Sequence, residues 1–183
     1  MEDVRRELID ENLRLLGQVQ MIILRLPASL YRQQHAQLGS GSIGQQVRHV
    51  LNHYETLLQA DGDVDYESRT RDVRVESSPD AGLDCLEGIV RGLLDLRTTY
   101  RQPGGCLQVL ESLEGVEDLS RVPLATSLER ELSFLASHTT HHLAIVRILA
   151  AAQGVALSDE VGVAKATRLY HEATEASQSF AKG

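Results

Sequence analysis

Five of the seven histidines of this chain lie in two short segments, and each segment places imidazoles four residues apart. His49 and His53 form one His-x-x-x-His pair, and His138 and His142 form the other, with His141 beside the second pair. Residues four apart on an α-helix lie one turn apart on the same face. Two such imidazoles can reach one metal ion at about 2.0–2.1 Å, and a third ligand from a facing helix would leave open coordination positions, as in catalytic sites.

Two other interpretations of these histidines stay open. They could be scattered polar residues, or His138 and His142 could be core histidines bonded to the backbone. His49 and His53 lie beside the main apolar stripe of their helix and could face a neighbouring helix or water. Because the spacing occurs twice, metal binding is favoured. The residues that share the buried helix face with His138 and His142 are Leu135, Ile145 and Leu149.

Three further polar residues are candidates for the surroundings of such a site. Glu131 lies two turns before His138 on the same face, where it could orient a ring or form a salt bridge at the edge. Arg48 could bind a carboxylate of a substrate or pair with Glu55. Asn12 interrupts an apolar stripe, either as a satisfied polar core residue or as part of a polar site.

Several common catalytic patterns are absent from the sequence. There is no Glu-x-x-His, which disfavours a carboxylate-bridged di-iron bundle, and no His-Glu-x-x-His of the zinc proteases. No Gly-x-Ser-x-Gly, phosphate loop or dinucleotide fingerprint occurs. The two cysteines, Cys85 and Cys106, are far apart and are expected to be ordinary thiols. No residue is assigned a catalytic role from these patterns.

Composition narrows the class of protein. The formal charge of −8 and the pI near 5.3 provide no basic surface for a polyanion, so nucleic acid is not an expected partner. No segment has 18 uninterrupted apolar residues and the N-terminus lacks a signal-peptide pattern, so we expect a soluble cytoplasmic protein without membrane contact. A hydrophobic fraction of 42% with 4% aromatics and four prolines favours packed helices in one domain over residues 1–183.

The apolar spacing predicts four long helices that must carry these residues. The first covers residues 2–26 and ends at Pro27. The second follows a possible N-cap at Ser42 and stops at residues 61–63. The third opens near Ser78 and ends at residues 102–105. The fourth, which carries His138 and His142, opens with a capping box of Thr126 and Glu129 and ends before Gln153.

The connections between these helices are expected to be mostly irregular. Residues 63–80 are charged with short alternation, which predicts an irregular connection with a brief extended piece. Two strand-like pieces, at residues 106–112 and 119–126, predict a small hairpin before the last long helix. One more short helix is expected from Ser158 onward.

The chain resembles the DinB-like (DinB/YfiT) superfamily of bacterial metal-binding proteins. The resemblance lies in residues 42–54, Ser-Ile-Gly-Gln-Gln-Val-Arg-His-Val-Leu-Asn-His-Tyr, in residues 138–142, His-Thr-Thr-His-His, and in the tail at 161–167. It implies an all-α, up-down-down-up four-helix bundle, often dimeric. It also implies one divalent ion held by His49, His138 and His142, with His53 as the alternative ligand from the second helix or as a neighbour of the site, and with His141 as a neighbour.

The resemblance also implies a class of chemistry. Members with known activity are transferases and isomerases that use a low-molecular-weight thiol, such as mycothiol or bacillithiol, on a small electrophilic substrate. A cation beside the sulfur would favour the thiolate. The metal could be Zn, Ni, Fe or Mn, with Cu also compatible with imidazole. The alternative is a non-catalytic bundle, with or without metal, that acts in dimeric interaction, sensing or stress response.

Overall fold

The computed structural model describes residues 2–35, 41–68, 71–98, 107–112 and 121–180. Most of these residues are helical, which confirms the predicted helical class. The elements in chain order are α1 (Glu2–Arg25), α2 (Ala28–Arg32), α3 (Ile43–Gln59), β1 (Asp63–Val64), α4 (Val73–Ser77), α5 (Pro79–Thr98), β2 (Gln108–Glu111), β3 (Val122–Ala125), α6 (Leu128–Ala152) and α7 (Lys165–Phe180).

The four long helices pack in a closed ring. Helices α1 and α3 each contact both α5 and α6. Arg5 of α1 pairs at 2.7 Å with Glu129 at the start of α6, so these two helices run in the same direction. Asp10 of α1 pairs at 3.2 Å with Arg97 near the end of α5, so α5 runs the opposite way. Helix α3 also runs opposite to α6, because Gln46 near the start of α3 lies 2.6 Å from His142, whereas Tyr54, later in α3, lies 3.0 Å from the earlier residue Thr139.

Local signals fix most helix ends where the sequence predicts them. Helix α1 ends at Arg25, shortly before Pro27. Helix α3 begins with a complete capping box: the Ser42 hydroxyl accepts a hydrogen bond from the Gln45 N–H, and the Gln45 side chain accepts one from the Ser42 N–H, both at 3.1 Å. These bonds satisfy backbone donors that the helix itself cannot pair. The Gly41 backbone before the cap has a φ of 70°, which glycine adopts without strain.

The predicted cap of the last long helix is wrong by one residue. The side chain of Ser127, not that of Thr126, accepts the hydrogen bond from the Arg130 N–H, at 3.2 Å. Thr126 instead donates its hydroxyl proton to Glu131 at 2.5 Å. Two adjacent hydroxyl residues offer the same local chemistry, so the choice between them depends on where β3 ends and on the buried position of Glu131.

The connections form a three-stranded sheet and two short helices. Strands β2 and β3 are antiparallel, with Gln108 opposite Ala125, and form the expected hairpin. The extended piece predicted in residues 63–80 is β1, which lies parallel to β2. Residues 73–77 are a helix, not an irregular connection, and the Asp72 carboxylate caps it by accepting from the Arg74 N–H at 2.9 Å. The predicted end of the third long helix at residues 102–105 and the predicted turn of the hairpin at residues 113–118 lie outside the described residues.

The hydrophobic core lies between the four long helices, and the segment before α7 is anchored to it. Val161 is buried, and Gly162, at a φ of 72°, lies against the backbone of Leu143 and Ala144 in α6. Within the described residues no helix is both long and apolar enough to cross a membrane. Core side chains with no exposed surface include Ile9, Leu16, Ile43, Leu51, Leu93, Leu132, Leu135 and Leu149.

The close approach of α3 to α4 makes a testable prediction at Gly44. A Cβ atom there would lie 2.0 Å from the Glu76 carbonyl oxygen and 2.7 Å from the Tyr31 ring. We expect Gly44→Ala to lower the free energy of unfolding by about 2–3 kcal/mol, measured by urea denaturation, because backbone must move. The control is Gly88→Ala in α5, where nothing lies within 4 Å and alanine should stabilise the helix by about 1 kcal/mol. A Gly44→Ala protein as stable as the wild type would contradict this packing.

Candidate metal centre

The crossing of α3 and α6 brings four histidines together. We call His49, His53, His138 and His142 the histidine cluster. The ring centroid of His49 lies 4.9 Å from that of His138 and 4.4 Å from that of His142. The ring centroid of His53 lies 4.1 Å from that of His138. Because the helices run in opposite directions, the earlier residue of one pair faces the later residue of the other. The two His-x-x-x-His pairs therefore meet.

A subset of the cluster has the spacing needed to hold one ion. In the part of the chain that the structure describes, the group with ring nitrogens all within 4.8 Å of one another is His49, His53 and His138. We call this group the imidazole triad. It contains two of the three predicted ligands, His49 and His138, together with His53, which the sequence offered as a neighbour. The ring of His142 contacts those of His49 and His138, each at 4.4 Å.

Hydrogen bonds to the backbone and to Gln46 set the orientation of two rings. The Nδ1 atom of His53 lies 2.8 Å from the carbonyl oxygen of His49. A carbonyl oxygen only accepts, so Nδ1 carries the proton and, in the neutral ring, Nε2 keeps its lone pair. His142 makes the equivalent bond from Nδ1 to the Gln46 side-chain oxygen at 2.6 Å. Such a partner on the second ring nitrogen is the usual arrangement for a histidine that binds metal.

The closest contact in the triad is compatible with a shared ion. The Nε2 atoms of His49 and His138 lie 3.1 Å apart. Two nitrogens bound at 2.0–2.1 Å to one ion are roughly 2.9–3.4 Å apart for angles between octahedral and tetrahedral. The same separation also suits a hydrogen bond in which one of the two nitrogens carries a proton. Two facing lone pairs would repel, so either a proton or a cation must lie between these atoms.

Two aromatic rings that the sequence analysis did not select border the triad. Tyr66 stacks on His53 with centroids 5.2 Å apart and ring planes at 23°. Phe134 lies 5.6 Å from His138 and 5.3 Å from Tyr66. Phe134 precedes His138 by four residues, so helical spacing could have indicated it. No local signal marks Tyr66, which follows β1 in a connection and reaches the site only through the tertiary fold.

Glu131 is fully buried, and its carboxylate is bonded to Tyr66, the residue that stacks on His53. Its carboxylate accepts a hydrogen bond from the Tyr66 hydroxyl at 2.9 Å and another from the Thr126 hydroxyl at 2.5 Å. Arg130 pairs with the same carboxylate at 2.9 Å. The structure thus places Glu131 in the interior, not at an exposed edge, and a tyrosine stands between its carboxylate and the nearest imidazole.

Asn12 is a satisfied core residue, as one of its two interpretations proposed. Its side-chain amide donates to the carbonyl oxygens of Leu8 and Leu132 at 2.8 and 2.9 Å. Its oxygen accepts from the Tyr54 hydroxyl at 2.6 Å, and that hydroxyl also lies 3.0 Å from Thr139, the residue after His138. This buried network joins α1, α3 and α6 beside the histidine cluster.

Two other predicted neighbours of the site, Arg48 and His141, have their described contacts with residues outside the triad. Arg48 pairs with Glu76 of α4 at 3.1 Å, while Glu55, its alternative predicted partner, accepts from Asn52 at 2.9 Å. Arg48 therefore forms an ion pair between α3 and α4. His141 is exposed and meets His142 edge to face at 5.4 Å.

The cysteine that the structure describes is poorly suited to act as a nucleophile. Cys85 is half-buried on α5, and burial, together with the nearby Glu55 carboxylate, raises the pKa of its thiol to about 12. At neutral pH it is a protonated thiol. Cys106 lies outside the described residues.

No protein-family model, curated protein or solved structure matches this chain.

The environment of Tyr66 predicts how its phenol responds to alkali. Burial, reinforced by Glu131, raises the pKa of Tyr66 far above its ordinary value of 10.0. Below about pH 10 the phenol is protonated in both folded and unfolded chains, and above it only the unfolded chain releases this proton. Stability should therefore fall as the pH rises beyond about 10. Phenolate absorbance of wild type and Tyr66→Phe should rise identically while both are folded, and differ by one tyrosine in urea. One phenolate fewer in the folded variant would contradict this burial.

Proposed function

We propose that this chain binds a divalent transition-metal ion through the imidazole triad of His49, His53 and His138. The observation that carries the proposal is the convergence of three ring nitrogens from two helices within 4.8 Å of one another. Two supporting features are the 3.1 Å contact between His49 and His138 and the bond from His53 Nδ1 to the His49 carbonyl, which places the ring proton on Nδ1. Three protein ligands would leave at least one open position.

The chemistry of the donors narrows the choice of ion. Neutral imidazole suits Zn, Ni, Fe and Cu, whereas Mn prefers sites with carboxylate oxygens. The triad consists of three imidazoles and has no carboxylate ligand. The carboxylate of Glu131 is bonded to Tyr66, Thr126 and Arg130 instead. We therefore rank Zn, Ni and Fe before Mn within the set that the resemblance implies.

We further propose that the chain is a DinB-like four-helix bundle. Support comes from the ring of four long helices, in which α1 and α6 run opposite to α3 and α5, and from the hairpin before α6. One feature departs from the implied pattern: His53 takes the place expected of His142 in the triad. The triad and the ligand set carried over from the family therefore differ in one residue, whereas both sets lie at the same crossing of α3 and α6.

The activity that best fits such a site is transfer or isomerisation dependent on a small thiol. A bound divalent ion supplies positive charge that favours a thiolate over a thiol. The chain provides neutral imidazoles on one side and the rings of Phe134 and Tyr66 on another, which would exclude water and contact an apolar part of a small electrophile. Among the described residues the one cysteine, Cys85, has a thiol pKa raised by burial and lies on α5, so we propose that the reacting thiol comes from a separate small molecule.

A second candidate function is interaction between two copies, favoured by a groove on the other side of α6. The groove has a volume of about 540 Å³ and is bordered by α1, α6 and the start of α7. At 100° per residue, its α6 residues lie on the flank opposite His138. This candidate needs no catalysis at the histidines and is compatible with metal binding there. The small α6 residues that line the groove are Ser133, Ala136, Ser137 and Thr140.

Metal binding by the triad predicts which histidine variants lose affinity for the ion. We expect His53→Ala and His138→Ala to lower Zn²⁺ affinity by more than about tenfold, because each removes a ligand. Competition with a chromophoric chelator measures the affinity, and elemental analysis checks the stoichiometry. The control is His171→Ala, on the exposed surface of α7, which should bind as the wild type does. If His142→Ala loses metal while His53→Ala retains it, the ligand set implied by the resemblance replaces the triad.

The groove predicts an effect of charge on self-association. Val4 lines it and is 57% exposed, so Val4→Glu should shift a wild-type dimer toward monomer by at least tenfold in dissociation constant, measured by sedimentation equilibrium. Its matched control is Val73→Glu, because Val73 is 62% exposed on α4 and does not line the groove. A wild type that remains monomeric at all concentrations would exclude this second function.

A further inference from the structure

A buried carboxylate and a tyrosine link the sheet side of the molecule to one ring of the triad. Glu131 has no exposed surface, and burial of a charge is costly unless hydrogen bonds compensate for it. The three groups that contact this carboxylate are the hydroxyls of Tyr66 and Thr126 and the guanidinium of Arg130. Thr126 and Arg130, which are close to Glu131 in sequence, hold its carboxylate in place, so it is a fixed point to which the Tyr66 hydroxyl from the distant β1 connection is tied.

The ring of Tyr66 continues this link to His53. The two rings are nearly parallel, at 23°, and their centroids are 5.2 Å apart. Tyr66 is only 8% exposed and His53 only 6%, so neither ring has much space in which to turn. Tyr66 is held at its other end as well, because Val64, two residues earlier in β1, is fully buried and pairs with Val109 of β2.

We propose that Tyr66 is a positioning residue that, held by Glu131, fixes the plane of His53 and so makes His53 a member of the metal centre. This inference deepens the proposed function and rests on it where the metal is concerned. A neutral imidazole must direct one chosen nitrogen at the ion, and rotation of the ring by 180° would exchange Nδ1 and Nε2. The bond from Nδ1 to the His49 carbonyl opposes that rotation from one edge of the ring, and the stacked tyrosine opposes it from the face.

The same link accounts for the choice between His53 and His142. Both rings donate from Nδ1 to an oxygen; the ring of His53 also stacks on Tyr66, whereas the ring of His142 contacts the rings of His49, His138 and His141. The partner of His142 is the side chain of Gln46, which has rotatable bonds of its own, whereas that of His53 is a helix carbonyl. The groups that hold the plane of His53 are thus a helix carbonyl and a tyrosine that is itself bonded to Glu131.

The first test needs no metal. Long-range ¹H–¹⁵N spectra of the metal-free protein, at a pH where the rings are neutral, report which nitrogen of His53 carries the proton. We expect a single Nδ1–H form in the wild type and a mixture of both tautomers in Tyr66→Leu. In Tyr66→Phe, which keeps the stacked ring and loses the bond to Glu131, the Nδ1–H form should still predominate. The matched control is Tyr31→Leu, since Tyr31 is also buried and its hydroxyl likewise donates to an oxygen, the Val75 carbonyl.

The second test measures Co²⁺ affinity in the same four proteins by chelator competition, with thermal melting to record stability. We expect a loss of about 10–100-fold in Tyr66→Leu, a smaller loss in Tyr66→Phe and no change in Tyr31→Leu, even if the last is equally destabilised. Unchanged His53 tautomers in Tyr66→Leu, or Co²⁺ affinity within twofold of the wild type, would overturn the positioning role. A wild type that binds no Co²⁺ but shows the tautomer change would refute the proposed function and leave Tyr66 as the residue that orders His53.

Discussion

The cost of burying polar groups between α3 and α6 is the constraint on which this structure depends. An imidazole, amide or hydroxyl removed from water must find a hydrogen-bond partner inside the protein. His53 and Asn12 do so, the first through a helix carbonyl and the second through two carbonyls and a phenol. The His53 bond lies within α3, whereas the Tyr54 hydroxyl of α3 contacts both Thr139 of α6 and Asn12, which in turn donates to the Leu132 carbonyl of α6. A shift of α3 along α6 would break the contacts made by Tyr54, so they favour one register of α3 against α6. In that register the two His-x-x-x-His pairs face each other.

The sheet and its flanking connections make a second contribution, although they are small. Strand β1 has only two residues, yet its pairing with β2 buries Val64 and brings Tyr66 over His53. The end of β3 supplies Thr126, whose hydroxyl reaches Glu131. A chain of contacts therefore runs from the sheet through Glu131 and Tyr66 to the histidine cluster. The connection between α3 and α5 thereby becomes part of the candidate site.

Helix α6 has three distinct faces, each with different neighbours. One flank presents Phe134, His138 and His142 at four-residue intervals toward α3 and the aromatic ring of Tyr66. The central face carries the leucines of the core, and the opposite flank, with small side chains, borders the groove beside α1. Because these faces are separate, metal binding and association between copies would use different residues of the same helix.

The sequence alone determined those features that depend on neighbours a few residues apart. The apolar spacing located the four long helices, Pro27 and the possible N-cap at Ser42 marked two of their ends, and the four-residue spacing of histidines placed each pair on one helical face. Only the tertiary structure decided which residues meet across helices: that His53 joins His49 and His138, that Arg48 pairs with Glu76, and that Tyr66 reaches Glu131. The physical reason is that periodicity fixes the face of a side chain, whereas its partner depends on the relative position of two elements. That position is set by the packing and hydrogen bonds of the whole core, which no local pattern records.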